Sequence, residues 1–305
     1  MNASGIFLQQ LINGLTIGMI YALIGLGYTM VYGVARLINF AHGEVFMVGA
    51  YLGLLCHMFA SNLIFGSGKL FFFVPFVFMF AMLGTSAIGF TIERFAYRPL
   101  REAPRLAPLI TAIGVSFVLQ NVVMFIFGPT DKHFPPLMAV RRFSLGGVTL
   151  TNLQVFIAIV SVVLMSALHI FIKNTRTGKA MRALADDLQA ARLMGINVDH
   201  LISIAFVMGS ALAGAGGVMF GMYYNTINFH DGYLAGLKAF TAAVLGGIGN
   251  IPGAMIGGIL IGVLEAMGAG YWSSEWKNVF AFFVLILILL FRPSGLLGSQ
   301  KVKKV

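Results

Sequence analysis

"GIFLQQLINGLTIGMIYALIGLGYTMVYGV", residues 5–34, holds no charged side chain. A helix needs about 20 apolar residues to cross the hydrocarbon of a bilayer, and this run exceeds that. No basic n-region precedes it, so it reads as a mature membrane-spanning helix rather than a cleavable signal peptide. The stretch that follows, "ARLINFAHGEVFMVGAYLG" (35–53), sets Arg36, Asn39, His42 and Glu44 between two apolar runs. A charge at the centre of a bilayer costs roughly 2.5–3.5 kcal/mol on insertion scales. These four residues therefore mark either a membrane boundary or a protein-enclosed polar site.

The rest of the chain repeats the pattern. Of 305 residues, 59% are hydrophobic and only 10% charged, against about 25% charged in soluble domains. Apolar segments fall at 8–34, 43–60, 70–92, 107–127, 152–172, 201–222, 236–250, 252–270 and 276–291. The expected fold is all-α: a polytopic membrane helix bundle of about 8–9 segments, forming one transmembrane domain over residues 1–305. Segments 43–60 and 236–250 are short, and the second ends at "GGIGNIPG". They read as broken or re-entrant helices, which are tolerated only where protein or a water-filled cavity surrounds them. "HGEVFMVGAYLG" (42–53) and "PGAMIGGILIG" (252–262) each open on a polar or helix-breaking residue followed by Gly. An inverted repeat relating these two stretches is the expectation they raise. Gly209, Ala213, Gly217 and Gly221 recur every four residues, as do Gly249, Gly253 and Gly257, so each set is expected to form a small-residue ridge for close helix packing.

The net charge of +10 follows from the positive-inside rule rather than from nucleic-acid binding, because no basic stretch is interleaved with exposed aromatics. Arg94, Arg98, Arg101 and Arg105 form one cluster. Lys173, Arg176, Lys179, Arg182 and Arg192 form a second, and Arg292, Lys301, Lys303 and Lys304 a third. All three are expected on the cytoplasmic face, which puts the C-terminus there. The loop 128–151 then faces outward. Lys132, Arg141 and Arg142 run against that trend, and Pro129, Pro135 and Pro136 mark it as a folded loop. Between the second cluster and the tail the reading asks for an odd number of crossings from four apolar segments, so that either one does not cross fully, with 236–250 the first suspect, or two merge into one broken element. Cys56 is the only cysteine and six histidines are scattered, so neither a disulfide nor a metal site is expected.

Within 173–200, "GKAMRALADDLQAARLMGINVDHL" is rich in strong helix formers. Met181, Leu184, Leu188, Ala191 and Met194 or Gly195 recur at three or four residues and give one apolar stripe. The expectation is a single amphipathic helix over about 178–196, with Arg182, Asp186 and Asp187 supplying both signs of charge. Lying in lipid headgroups and docking on a partner both fit that composition.

"QAARLMG" (189–195) resembles the coupling-loop motif of bacterial ABC importer permeases, Glu-Ala-Ala, three residues, then Gly. Ala190, Ala191 and Gly195 match in register, Gln189 replaces the glutamate, and the closing Ile-x-Leu-Pro is absent. "YTMVYGVARLINFAHGEVFMVGAYLG", "ERFAYRPLR", "LITAIGVSFVLQN", "GINVDHLISIAFVMGSALAGAGGVMFG" and "GLKAFTAAVLGGIGNIPGAMIGG" together resemble the branched-chain amino acid ABC transporter permeases of LivH type. The resemblance implies a non-enzymatic transport subunit of a bacterial inner membrane. It also implies a second related permease subunit, two ATPase subunits and a periplasmic binding protein as partners. No cofactor is implied for this chain, ATP and magnesium belonging to the ATPases. Indeed "GSGKL" (66–70) is no phosphate loop, since Leu63 and Leu70 stand where a P-loop needs Gly and Ser or Thr. Permeases of urea or other small solutes share similar motifs. An ion-coupled secondary transporter using His42, Glu44 and Glu265 is the alternative from another class. For the opening question both accounts stay open. In one, Arg36 snorkels at a helix end, Asn39 and His42 cap the break, and Glu44 meets a helix dipole. In the other, Asn39, His42 and Glu44 line a path or gate.

Overall fold

The computed structural model describes residues 3–63, 70–101, 103–104, 106–145, 148–292 and 294–298. Within them run eleven α-helices, α1 (Ala3–Ala35), α2 (His42–Leu63), α3 (Leu70–Thr91), α4 (Leu106–Phe127), α5 (Asn152–Asn174), α6 (Arg176–Asp186), α7 (Leu188–Leu193), α8 (Val198–Tyr224), α9 (Asp231–Gly246), α10 (Ile251–Tyr271) and α11 (Lys277–Phe291). Eight of the helical segments are long and apolar enough to cross a membrane. Two small antiparallel ladders complete the fold. β1 (Lys132–His133) pairs with β4 (Thr226–Ile227), and β2 (Arg142–Leu145) with β3 (Val148–Thr151). Residues 66–69 of "GSGKL", Arg105 and the lysines of 301–304 lie outside the described residues.

The described parts of the basic clusters share one face. Arg98 and Arg101 pair with Asp199 at the start of α8, and Arg36, Lys173, Arg182 and Ser294 line one cavity. On the opposite face the Gln9 side chain exchanges hydrogen bonds with the Thr149 backbone (2.8 and 3.1 Å), so α1 begins there. β1 and β4 hold the end of α8 against the 128–151 loop at that face. α9 then returns toward the basic face, where Leu245 and Gly246 carbonyls accept from Leu296 and Leu297 N–H groups (2.7 and 3.1 Å). From the second cluster to the tail the chain makes four legs, α8 to α11. The expected odd count was therefore wrong: two segments on one face require an even number. At 16 residues, about 24 Å long at 1.5 Å per residue, α9 is shorter than a full span.

The repeat lies elsewhere than 42–53 against 252–262. Ala22-Leu23, Gly25, Gly27 and Met30 recur as Ala211-Leu212, Gly214, Gly216 and Met219, and Ile38-Asn39-Phe40 with Gly43 recur in register as Ile227-Asn228-Phe229 with Gly232. The backbone repeats too. Among the described residues Arg36 (φ 53°) and Asn225 (φ 57°) are the non-glycine residues with positive φ, and each closes its helix on a carbonyl four residues back, Tyr32 and Gly221. Asn39 Oδ1 accepts from Ala41 N–H (3.1 Å), as Asn228 Oδ1 accepts from His230 N–H (2.8 Å). Such Asx turns set up the helix that follows. α1 approaches the basic face while α8 leaves it, so α1–α2 and α8–α9 are inverted copies.

Small residues bring backbones together. On α8, Gly209 faces Gly27 of α1, Gly217 the backbone of Phe46–Ala50 on α2, and Gly221 the ring of Phe134. On α10, Gly253 and Gly257 face the α9 backbone, whereas Gly249 (φ 91°) belongs to the turn before the helix. A Cβ on Gly257 would sit 2.9 Å from Gly246 N and collide with the Ala242 carbonyl. Gly257→Leu is expected to cost at least about 1–3 kcal/mol by overpacking. Its check is the yield and melting temperature of the membrane-extracted protein, and unchanged values would show that α9 yields freely there.

Candidate functional site

The break after α1 is buried. Arg36 lies at the basic face, while Asn39, His42 and Glu44 are each no more than 2% exposed. Asn39 Oδ1 accepts from Tyr97 Oη (3.0 Å) as well as Ala41 N–H. The His42 ring packs edge-on to Tyr28 with centroids 4.9 Å apart, and Glu44 Oε1 accepts from Ser116 Oγ (3.3 Å). Among the described residues Glu44 Oε2 has no hydrogen-bond partner. Glu44 sits in the first turn of α2 and against Gly232 in the first turn of α9. The starts of the second helix in each inverted copy, α2 and α9, thus meet at one carboxylate, which the positive ends of helix dipoles favour. Arg36 does not snorkel freely. Its Nη2 donates to the Ala185 and Asp186 carbonyls (2.9 and 3.2 Å), the last carbonyls of α6.

The element at 178–196 is two helices, not one. Asp187 is extended (φ −145°, ψ 110°) and its Oδ1 accepts from Gln189 and Ala190 N–H (2.8 and 3.0 Å), an N-cap that restarts the chain as α7. The apolar stripe is correspondingly split. Met181, Leu184 and Ala191 are buried against the bundle, whereas Leu193 and Met194 are 89% and 82% exposed. Arg182 and Ala190 are exposed as well. Gly195 (φ 77°) ends α7, with the Ile196 N–H returning to the Ala191 carbonyl (3.1 Å), and only glycine takes that conformation without cost. A Cβ there would meet open space. Between α6, the ends of α1 and α5, and the α9–α10 turn lies a cavity of about 870 Å³.

The sequence reading missed one cluster entirely and caught only Glu265, without its partner, of a second. Glu93, 0% exposed, lies on a π-helical turn (Ile92–Tyr97) that extends α3. It accepts from Ser203 Oγ (2.6 Å) and pairs with Arg101, which also pairs with Asp199. This network pins the basic end of α3 to the start of α8, beside α7. The second cluster is Lys238 on α9 and Glu265 on α10, an ion pair at 2.8 Å with both residues nearly fully buried. Tyr21 Oη is 3.3 Å from the Lys238 ammonium. A lysine inside "GLKAFTAAV" is itself the signal, since ionisable residues within membrane segments are costly and mark functional sites by default.

The family model "Branched-chain amino acid transport system / permease component" matches residues 10–289. The chain belongs to that permease family. It is 48% identical over 303 residues to the high-affinity branched-chain amino acid transport system permease protein BraD of Pseudomonas aeruginosa, covering 98% of both chains. It is equally identical, with the same coverage, to the permease protein LivH of Escherichia coli. A probable branched-chain amino acid transport permease of Methanocaldococcus jannaschii is 28% identical over 302 residues, covering 93% of this chain and 90% of its own. The permease is accordingly a multi-pass membrane protein and a transport component rather than an enzyme. Its inverted copies, the α6–α7 element and the buried Lys238–Glu265 pair all belong to this transport unit.

Proposed function

We propose that the permease is the membrane-spanning subunit of an ATP-driven importer that moves branched-chain and related amino acids across a bacterial inner membrane. Two ATPase subunits, which carry ATP and magnesium, dock on α6–α7 at the basic face. That face is cytoplasmic by the positive-inside rule, and the C-terminus lies on it. A second permease subunit of related type completes the pore, and a periplasmic binding protein delivers substrate to the opposite face. Arg182, Asp186, Asp187, Ala190, Ala191 and Gly195 are the residues proposed to receive the ATPase.

One observation carries the reading. α7 presents exposed Leu193 and Met194 at its tip, and the neighbouring α6 is hydrogen-bonded through Arg36 to the break that leads to His42 and Glu44. A displacement imposed on α6–α7 by a nucleotide-driven partner is handed directly to the hinge between α1 and α2. Asn39, His42 and Glu44 are the proposed gate of the path. Co-purification from native membranes tests the assembly, and recovery of the permease without ATPase subunits would overturn it. The energy source has its own test. Glu44→Gln is expected to leave the remaining uptake ATP-dependent and insensitive to a collapsed proton gradient. Loss of wild-type uptake on adding a protonophore, with ATP held constant, would sink the reading.

A further inference from the structure

Lys238 and Glu265 line a pocket of about 190 Å³ between α1, α8, α9, α10 and α11. Asp231 at the start of α9 and Lys277 at the start of α11 also line it. Both helix starts face away from the basic surface, so the pocket lies toward the side from which substrate arrives. The four charges balance, two positive and two negative. Such a pocket disfavours a free cation or anion and matches a ligand that is itself dipolar.

The buried pair is incompletely used. Glu265 spends Oε1 on Lys238, while the buried Oε2 has no hydrogen-bond partner among the described residues. Of the three ammonium donors of Lys238, one goes to Glu265 and one to Tyr21 among the described residues. A charged pair taken out of water is a poor stabiliser unless its remaining lone pairs and protons are satisfied. Here one acceptor and one donor, of opposite charge and side by side, are left for a ligand. Phe220 and Leu234 supply apolar wall beside them.

Building on the amino-acid permease reading, we infer that this pocket binds the zwitterionic head of an α-amino acid. The ligand ammonium donates to the Glu265 carboxylate, whose Oε2 must turn out of its buried position to meet it, and the ligand carboxylate accepts from the free N–H of Lys238. The two dipoles then lie antiparallel, and a branched aliphatic side chain rests on Phe220 and Leu234. The site is intrinsic to the permease and independent of the binding protein.

The test uses the assembled wild-type complex in nanodiscs without binding protein, probed by saturation-transfer NMR with L-leucine. Leucine is expected to give a signal that an equal concentration of 4-methylpentanoate, which lacks the ammonium, or of 3-methylbutylamine, which lacks the carboxylate, leaves largely in place, whereas an equal concentration of unlabelled L-isoleucine halves it. Each analogue has lost a charge-assisted hydrogen bond, a loss that translates into roughly a tenfold or greater fall in affinity. The paired variant Lys238→Gln/Glu265→Gln removes both charges without leaving one unpaired, and its signal is expected to disappear. No leucine signal on the wild type, equal displacement by either analogue, or an unchanged signal in the glutamine pair overturns the site. If the glutamine pair fails to assemble, the wild-type competition decides alone. Uptake by the wild-type complex with binding protein and ATP separates the two readings. Leucine uptake without an intrinsic site removes only this inference, and absence of leucine uptake removes the permease reading as well.

Discussion

Gly195→Glu is expected to reduce recovery of the ATPase subunits with the permease, ATP-dependent uptake and substrate-stimulated hydrolysis together, each by at least about tenfold. Two costs add. A side chain at φ 77° is strained by roughly 1–2 kcal/mol in the left-handed region, which loosens the end of α7. A carboxylate beside exposed Leu193 and Met194 must also be desolvated in an apolar contact. Since 1.4 kcal/mol is tenfold in binding, the sum exceeds tenfold. Insertion is expected to be normal, because Gly195 is exposed and outside the spanning helices. Gly195→Asn separates the two costs, as asparagine tolerates this conformation and brings no charge. It is expected to keep most of the ATPase. Undiminished pull-down with normal uptake by the glutamate variant would end the docking assignment, and would fit a helix resting in lipid headgroups.

Arg36→Met is expected to give a different failure. The complex should assemble and hydrolyse ATP, while amino acid moved per ATP falls by about tenfold or more. Hydrogen bonds from a charged group are worth about 1.5–3 kcal/mol, and Arg36 places two on the closing carbonyls of α6. Methionine keeps the aliphatic stem and removes both. Arg36→Lys, with one ammonium in place of the guanidinium fork, is expected to fall between. Uptake and hydrolysis must be measured in the same proteoliposomes. An unchanged ratio would show that the link from α6 to the α1–α2 break carries no motion.

Hydropathy made the spanning helices legible because their signal is local: each long apolar run appears in the structure within a few residues of its expected ends. What failed was information carried by single residues or by distant pairs. Asp187 splits the 178–196 helix by accepting two backbone N–H groups, an effect that a stripe counted over twenty residues averages away. Gly249 has the right spacing for the ridge of Gly253 and Gly257 but belongs to a turn. The inverted copies were sought at 252–262 on the strength of glycine, whereas the matching residues are "INFAHG" (38–43) and "INFHDG" (227–232), identical at four positions and built on the same turn. Asn39, His42 and Glu44 were legible as exceptions to the apolar pattern. Lys238 was an equal exception, and its partner Glu265 sits 27 residues away, on a helix that only the fold brings alongside.

The glycines of α1 and α10 have a mechanical consequence. A Cβ on Gly14 would lie 2.6 Å from Val263 Cα, one on Gly18 2.8 Å from Ile259 Cα, and Gly258 and Gly262 abut Ala22 and Gly18 in return. At these four glycines main chain rests on main chain, with few flexible side chains between to bend or change rotamer. Close-packed protein matter is hardly compressible, so the two helices form a single stiff strut. One end carries Arg36, held by α6, and α10 carries Glu265 toward the other. A push at the inner end is therefore expected to reach the pocket at Glu265 mainly as rigid tilt.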